Sequence, residues 1–366
     1  MAPVEPWERV LIDAETFSED IHSYINCTEC HAGQAVDDYE LAHDGLKTTV
    51  VTTPEVCGRC HVDNGLPAFE SLHNTLSGYD TALYARSAPE HYEALEEMEA
   101  NHCNSCHATC GDCHVSTPGS AGGGLIDGHV FKQSPSMSQN CTACHGSRVK
   151  DEYYGAHDEA SSDVHFRNRM DCMECHTADE MHGMDMEDVH SRYEGEQSPS
   201  CESCHEDIVM GEESDIREHY RHQPDSMSCQ VCHSQVYINC VNCHVEQSED
   251  AVPYFTVEEN YMGFYIGLND EITEERPYRY VPVRHVPIEP DSFSFYGENL
   301  LPNFDSRPTW VYATPHNIQL VTPQAALCTH CHDNEAIWLT EDVVTEDELV
   351  ANKAVIIEAI PEMYGD

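Results

Sequence analysis

The chain of 366 residues carries 67 acidic against 17 basic side chains, a formal net charge of −50, together with 20 cysteines and 25 histidines. A surface of this sign has no basic patch to neutralise phosphates, which excludes nucleic acid as a partner. Only four of the basic residues are lysine. Acid-rich, lysine-poor surfaces suit high salt, where screening suppresses self-repulsion; the competing reading is a surface that collects divalent cations or docks a basic redox partner.

In chain order, one five-residue pattern, Cys-x-x-Cys-His, dominates. Residues 1–135 hold four copies: Cys27, Cys30 and His31; Cys57, Cys60 and His61; Cys103, Cys106 and His107; Cys110, Cys113 and His114. Ahead of the close pair, "APEHYEALEEMEANHC" predicts a helix, because Tyr92, Leu95 and Met98 recur at i, i+3 and i+6 as an apolar stripe. After it, the Gly-rich "STPGSAGGGLIDG" reads as a flexible loop. Residues 136–250 hold five copies: Cys141, Cys144 and His145; Cys172, Cys175 and His176; Cys201, Cys204 and His205; Cys229, Cys232 and His233; Cys240, Cys243 and His244. Residues 251–327 hold none, and "RPYRYVPVRHVPI" and "DSFSFYG" read as extended segments with alternating faces. Residues 328–366 hold the tenth copy, Cys328, Cys331 and His332. The following "TEDELVANKAVIIEAI" opens with a capping box from Thr345 to Glu348 and predicts a terminal helix with an apolar face.

The ten copies use every cysteine. A disulfide framework fits an even count, and paired Cys-x-x-Cys units fit structural zinc, but neither explains a histidine after the second cysteine ten times out of ten. The pattern is the signature of c-type haem attachment, in which two thiols add across the two vinyl groups of one haem and the adjoining imidazole coordinates the iron. The expected cofactors are therefore ten covalently bound haem c. Cys103 and Cys110 lie seven positions apart, about 10 Å of rise if helical, so their two macrocycles must touch or stack. Cys229 and Cys240 repeat the arrangement with an eleven-residue offset. Ten motifs in 366 residues leave roughly 37 residues per cofactor, too few for an apolar core around each. The expected fold class is a multihaem cytochrome: a haem-dominated core with short α-helices, much irregular loop, and a small strand-containing insert near the C-terminus.

One histidine precedes many motifs, as His22 does Cys27, His43 Cys57, His91 Cys103, His129 Cys141, His165 Cys172, His190 Cys201, His219 Cys229 and His316 Cys328. The repeat points to the sixth iron position, since bis-histidine ligation gives low-spin, low-potential haem. With His73, His157, His182 and His285, these make twelve candidate distal ligands, and His102, His222 and His330 are left as bystanders. His330 stands between the cysteines of its motif. The methionines, including the cluster around Met181, read as packing or surface residues. The motif-free insert is expected to cover haem edges and lend His285 and His316; the competing reading is a subunit contact or a tyrosine-lined pocket.

The runs "GAHDEASSDVHFRNRMDCMECHTADEMHG" (155–183) and "PTWVYATPHNIQLVTPQAALCTHCH" (308–332) resemble prokaryotic multihaem c-type cytochromes, including the branch related to octahaem enzymes of tetrathionate and hydroxylamine. Ten haems on one chain are also similar to decahaem electron conduits and to extracellular cytochromes that polymerise into filaments. The resemblance implies electron transfer through closely packed bis-histidine haems, with no catalysis. It implies redox proteins or extracellular electron acceptors as partners, and a homo-oligomer or filament. Two other readings stand beside it: a multihaem reductase of a small nitrogen or sulfur oxyanion, whose substrate would need an arginine cluster such as Arg167 and Arg169, and a decahaem conduit within an outer-membrane complex. No run of 18 to 20 apolar residues predicts a transmembrane segment. Haem attachment of this type takes place outside the cytoplasm, so an exported, periplasmic or extracellular protein is expected, its signal peptide absent from this numbering.

Overall fold

The computed structural model describes residues 5, 7–47, 56–103, 108–158, 160–186, 189–195, 197–208, 210–223, 225–241, 243–257 and 259–363. Cys106 and His107 lie outside the described residues, as does the side chain of Cys243. The chain divides into two units, the first built from residues 1–76, 105–145 and 172–189, the second from 77–104, 146–171 and 190–366. The two units are interleaved along the chain. Contacts define a unit, and each unit takes in segments separated along the chain by parts of the other.

The first unit is made of helices one or two turns long, turns and loops. Asp38 caps the helix Tyr39–His43 by accepting from the Leu41 N–H (3.0 Å). Thr109 and Asp112 form a capping box at the start of Cys110–His114. The Gly-rich stretch is a closed loop: the Thr117 N–H donates to the Gly124 carbonyl (2.8 Å), and the Ile126 N–H to that of Val115 (2.9 Å). Gly122 and Gly124 take φ of +94° and +101°, which only glycine adopts without strain. Among the described residues, the fully buried large apolar side chains of this unit are Ile126 and Met186 alone, whereas Trp7, Val10, Leu11, Ile21, Tyr24 and Tyr39 are exposed. Its interior is therefore not a side-chain core.

The second unit has one. The expected helix is present as Tyr92–His102, with Leu95 and Met98 fully buried against Leu83, Val245, Leu300 and Leu301. Burial of each side chain stabilises by about 1.5–3 kcal/mol. Among the described residues, seven short strands follow: β1 (Tyr237–Asn239), β2 (Cys243–Gln247), β3 (Pro253–Val257), β4 (Tyr261–Gly263), β5 (Ile266–Leu268), β6 (Tyr280–His285) and β7 (Trp310–Tyr312). They form antiparallel pairs β1-β4 and β2-β3 and a three-stranded sheet β5-β6-β7. β6 is the central strand and is buried on both faces from Val281 to Arg284, so its faces do not alternate as expected. A core of Val281, Val283, Trp310, Leu339 and Val355 packs on it.

Two local expectations change. "DSFSFYG" forms successive turns, with Ser294 N–H to Asp291 O and Tyr296 N–H to Phe293 O (both 2.9 Å), because no neighbouring strand pairs with it. The terminal helix shortens to a 3-10 turn, Glu346–Glu348, and one α-turn, Leu349–Asn352. Beyond it the chain turns, the Val355 N–H donating to Asn352 O (3.0 Å), and then bonds to neighbouring segments, the Leu268 N–H donating to Val355 O (2.9 Å) and the Ile357 N–H to Leu339 O (2.8 Å). Sheet-edge bonding and burial of Val355 and Ile357 outweigh continued helix.

Candidate functional site

Most motifs fold as a single helical turn. Cys27–His31, Cys110–His114 and Cys229–His233 are α-helical, and Cys57–Arg59, Cys172–Glu174 and Cys328–His330 are 3-10. The N–H of the motif histidine donates to the carbonyl of the first cysteine at His61 (2.9 Å), His145 (3.0 Å), His176 (2.8 Å), His205 (2.9 Å) and His332 (2.8 Å). One such turn puts cysteines i and i+3 on the same side and aims the following imidazole along it.

Among the described residues, seven motif imidazoles face a second imidazole at almost one separation. The ring centroids lie 6.0 Å apart in His31–His129 and His73–His145, and 6.1 Å in His22–His61, His114–His182 and His165–His205. They lie 6.2 Å apart in His219–His233 and 6.3 Å in His222–His332. Every pair joins one motif histidine to one from outside the motifs. The interplanar angle meanwhile runs from 6° in His114–His182 to 81° in His73–His145. Rings attracted to each other stack or meet edge-on at separations that depend on their angle. Other ring pairs here share no common separation, running from 4.1 Å in Tyr39–His43 to 6.4 Å in Tyr153–Tyr154. A distance independent of angle is what two ligands on one axis give. Two metal–nitrogen bonds of about 2.0 Å, plus roughly 1.1 Å from each nitrogen to its ring centre, sum to about 6.2 Å.

Hydrogen bonds at Nδ1 orient several of the same rings. The Nδ1–H donates to a backbone carbonyl at His31 (Lys47, 3.0 Å), His114 (Lys132, 2.6 Å), His222 (Glu218, 2.7 Å), His233 (Gln319, 3.0 Å) and His332 (Glu362, 3.2 Å). It donates to a carboxylate at His22 (Asp20, 2.9 Å) and His165 (Asp163, 2.9 Å). Such bonds select the tautomer whose Nε2 lone pair is free for a metal. The buried Nδ1 atoms of His129 and His219 have no hydrogen-bond partner, an omission a bound ion would explain. Burial, with His145 and His176 adjacent, pushes His73 down to about 4, and burial likewise lowers His145 and His182. These rings are held neutral, the ligand form. For His176 burial acts in the same sense, but the Glu180 carboxylate, bonded to its Nδ1 at 2.9 Å, outweighs it and raises the group.

Thiols of different motifs also meet. Cys57 hydrogen-bonds with Cys110, and the sulfurs of Cys201 and Cys229 lie with a Glu202 carboxylate oxygen within 4.8 Å of one another. The bond to Cys110, with burial, pushes the Cys57 thiol up, and the bond to Cys201 does the same at Cys229. The trio would serve a thiolate metal site only if its sulfurs stayed free, and both belong to Cys-x-x-Cys-His units.

The pairing is not that of the sequence repeat. His22 faces His61 rather than the motif that follows it, His129 faces His31, and His165 faces His205; His219 alone faces the motif immediately downstream. His222, set aside as a bystander, faces His332. The signal for it was its i, i+3 relation to His219 across the turn Arg217–Arg221, which lets two imidazoles reach two different partners. Among the described residues, His43, His91, His190 and His285 face no motif imidazole. His43 is exposed against Tyr39, and His91 sits at the N-cap of the helix Tyr92–His102. The His190 N–H donates to Glu194 (2.7 Å). His285 gives its Nε2 to Glu348 (2.9 Å) and stacks on Trp310. The His316 N–H donates to Glu152 (2.9 Å), with His157 near the same carboxylate.

No family model, no curated protein and no solved structure matches the chain. No helix among the described residues is long and apolar enough to cross a membrane.

Proposed function

We propose that the chain is an electron-transfer protein that carries ten covalent c-type haems, one at each Cys-x-x-Cys-His motif. The observation that carries this reading is the seven imidazole pairs held at 6.0–6.3 Å whatever their relative angle. When bound, haem supplies a one-electron iron couple. The residues supply the rest. Among the described residues, seven motifs would offer a haem their cysteine sulfurs and imidazole, with a second imidazole facing the first. Carboxylates of Asp20 and Asp163 accept from the Nδ1–H of His22 and His165 and fix the orientation of those rings. The neighbouring sulfurs of Cys57 and Cys110, and of Cys201 and Cys229, set attachment edges side by side, the contact that fast hopping needs. The scarcity of buried apolar side chains in the first unit also supports the reading, because macrocycles would fill the space between its short helices.

The proposal includes no bond-making chemistry. Its partners are other redox proteins or extracellular electron acceptors, and copies of the same chain in an oligomer or filament, outside the cytoplasm. The oxyanion-reductase reading loses one support, since the Arg167 guanidinium already donates to the Ser162 carbonyl (2.5 Å) and to Gln319 (2.8 Å). Intact mass of the denatured protein tests the cofactor: an increment of ten haems with no titratable thiol is expected. Free thiols with bound zinc would overturn the proposal.

A further inference from the structure

Two of the seven imidazole pairs share one short element. The turn Arg217–Arg221 carries His219 and ends on His222 as its C-terminal cap, so the two rings are rooted one turn apart, their Cβ atoms about 5–6 Å from each other. His219 faces His233 at 6.2 Å, and His222 faces His332 at 6.3 Å. The Tyr220 N–H closes the turn on the Ile216 carbonyl (2.7 Å), and the His222 Nδ1–H donates to the Glu218 carbonyl (2.7 Å), which leaves Nε2 as the ligand nitrogen.

A second segment ties the facing motifs to each other. The Gln319 N–H donates to the His233 carbonyl (2.7 Å), and the Gln319 carbonyl accepts the His233 Nδ1–H (3.0 Å). The Gln324 side-chain amide donates to the carbonyls of Val231 (3.2 Å) and Ser234 (2.7 Å). Cys328 follows Gln324 by four residues, a reach of at most about 14 Å. The His330 Nδ1–H folds that stretch back onto the Pro323 carbonyl (2.5 Å). Cys232 and Cys331 pack on one apolar cluster of Val231, Ile266, Trp338 and Ile357. Both motifs fit the group proposed above: Cys229–His233 is an α-turn, the His332 N–H closes its own turn on Cys328 O (2.8 Å), and each motif imidazole has its Nδ1–H bonded and a second ring in front of it.

We propose that the turn Arg217–Arg221 is a redox joint: His219 and His222 ligate two neighbouring irons, at the motifs of Cys229 and Cys328, so that charge on one shifts the potential of the other. The inference rests on the haem reading above and names two of the ten sites as neighbours. Coulomb energy falls as the reciprocal of distance and strengthens where water is excluded, so an electron held at one site opposes reduction of a site one helical turn away far more than of a remote one. The joint also makes the two ligands interdependent, because one short stretch of backbone holds both imidazoles.

Tyr220 opens the joint without altering a ligand. Its side chain is half exposed, so Tyr220→Ala should leave the spin count of the full-length holoprotein unchanged. Tyr220→Pro removes the N–H bonded to Ile216 and sets a ring against that carbonyl. Expected by EPR is two-tenths of the iron passing to high spin together, with ten haems retained by mass; one-tenth or none would overturn the joint. A second measurement keeps the turn intact and reads the coupling itself. His219→Met and His222→Met each put a thioether in place of an imidazole, which raises the potential of one iron so that it titrates apart from the other nine. In the double variant the site reduced second is reduced beside an electron already in place, so its midpoint should fall below its value in the single variant. Midpoints in the double variant equal to those of the two singles would overturn the inference and leave the electron-transfer reading intact, whereas absence of covalent haem would overturn both.

Discussion

On the haem reading proposed above, deleting imidazoles one at a time discriminates ligands from bystanders, because each iron would be one part in ten of the total signal. His182 lies 6.1 Å from His114 with the rings 6° from parallel. On coaxial ligation His182→Ala removes one of two strong-field nitrogens, so one-tenth of the iron should pass from low to high spin. The same increment is expected from His→Ala at His22, His73, His129, His165, His219 and His222, the other partners outside the motifs. Equal steps across seven sites follow from one shared geometry. His285→Ala is the contrast: it should leave the spin count unchanged and cost stability. Loss of the Trp310 stack is worth about 0.5–1.5 kcal/mol and loss of a bond to a carboxylate about 1.5–3 kcal/mol, a combined destabilisation of about 2–4.5 kcal/mol. His182→Met separates a lost ligand from a disturbed fold, since a thioether should keep that iron low-spin while raising its potential. The assay is integrated low-temperature EPR with haem counted by mass. If His182→Ala retained ten haems and an unchanged spin count, the constant separation would be packing and the ligand assignment would fail.

Three further outcomes are expected. Arg284 and Glu152 form a buried ion pair, with Glu152 1 % exposed at its side chain, so Arg284→Met should cost about 3–5 kcal/mol by leaving an unpaired buried carboxylate. Adding Glu152→Leu should recover most of that in denaturant titrations, and a double variant as unstable as the single would refute the charge argument. Burial opposes ionisation of Glu348, but bonds from His285, Thr309 and Thr345 hold its carboxyl below the ordinary 4.5. A depressed carboxyl stabilises the fold above its unfolded value and loses that contribution as pH falls below about 4.5. Wild type should therefore lose more stability than Glu348→Gln over that acid range in pH-dependent unfolding. With a net charge of −50, the melting temperature should rise from low to molar salt as screening shortens from about 10 Å at 0.1 M to about 3 Å at 1 M; a flat profile would point to bound cations instead.

The chemistry of this chain is local, and local chemistry is readable in order along it. Ten thiol pairs each followed by histidine, and the stripe of Tyr92, Leu95 and Met98 that becomes a buried helix face, depend on spacings of one to six residues, within the reach of a single turn. The pairing of imidazoles is a different kind of fact. His73 meets His145, His31 meets His129 and His222 meets His332 across 72, 98 and 110 positions, and no periodicity carries information over such lengths. Of the histidines just upstream of a motif, His22, His129 and His165 face other motifs while His219 faces its own, a choice that position along the chain does not make. Packing also decided what His285 is: sequence marks it as a spare imidazole beside a motif, and Glu348 and Trp310, brought to it by the fold of the second unit, occupy its edge and its face.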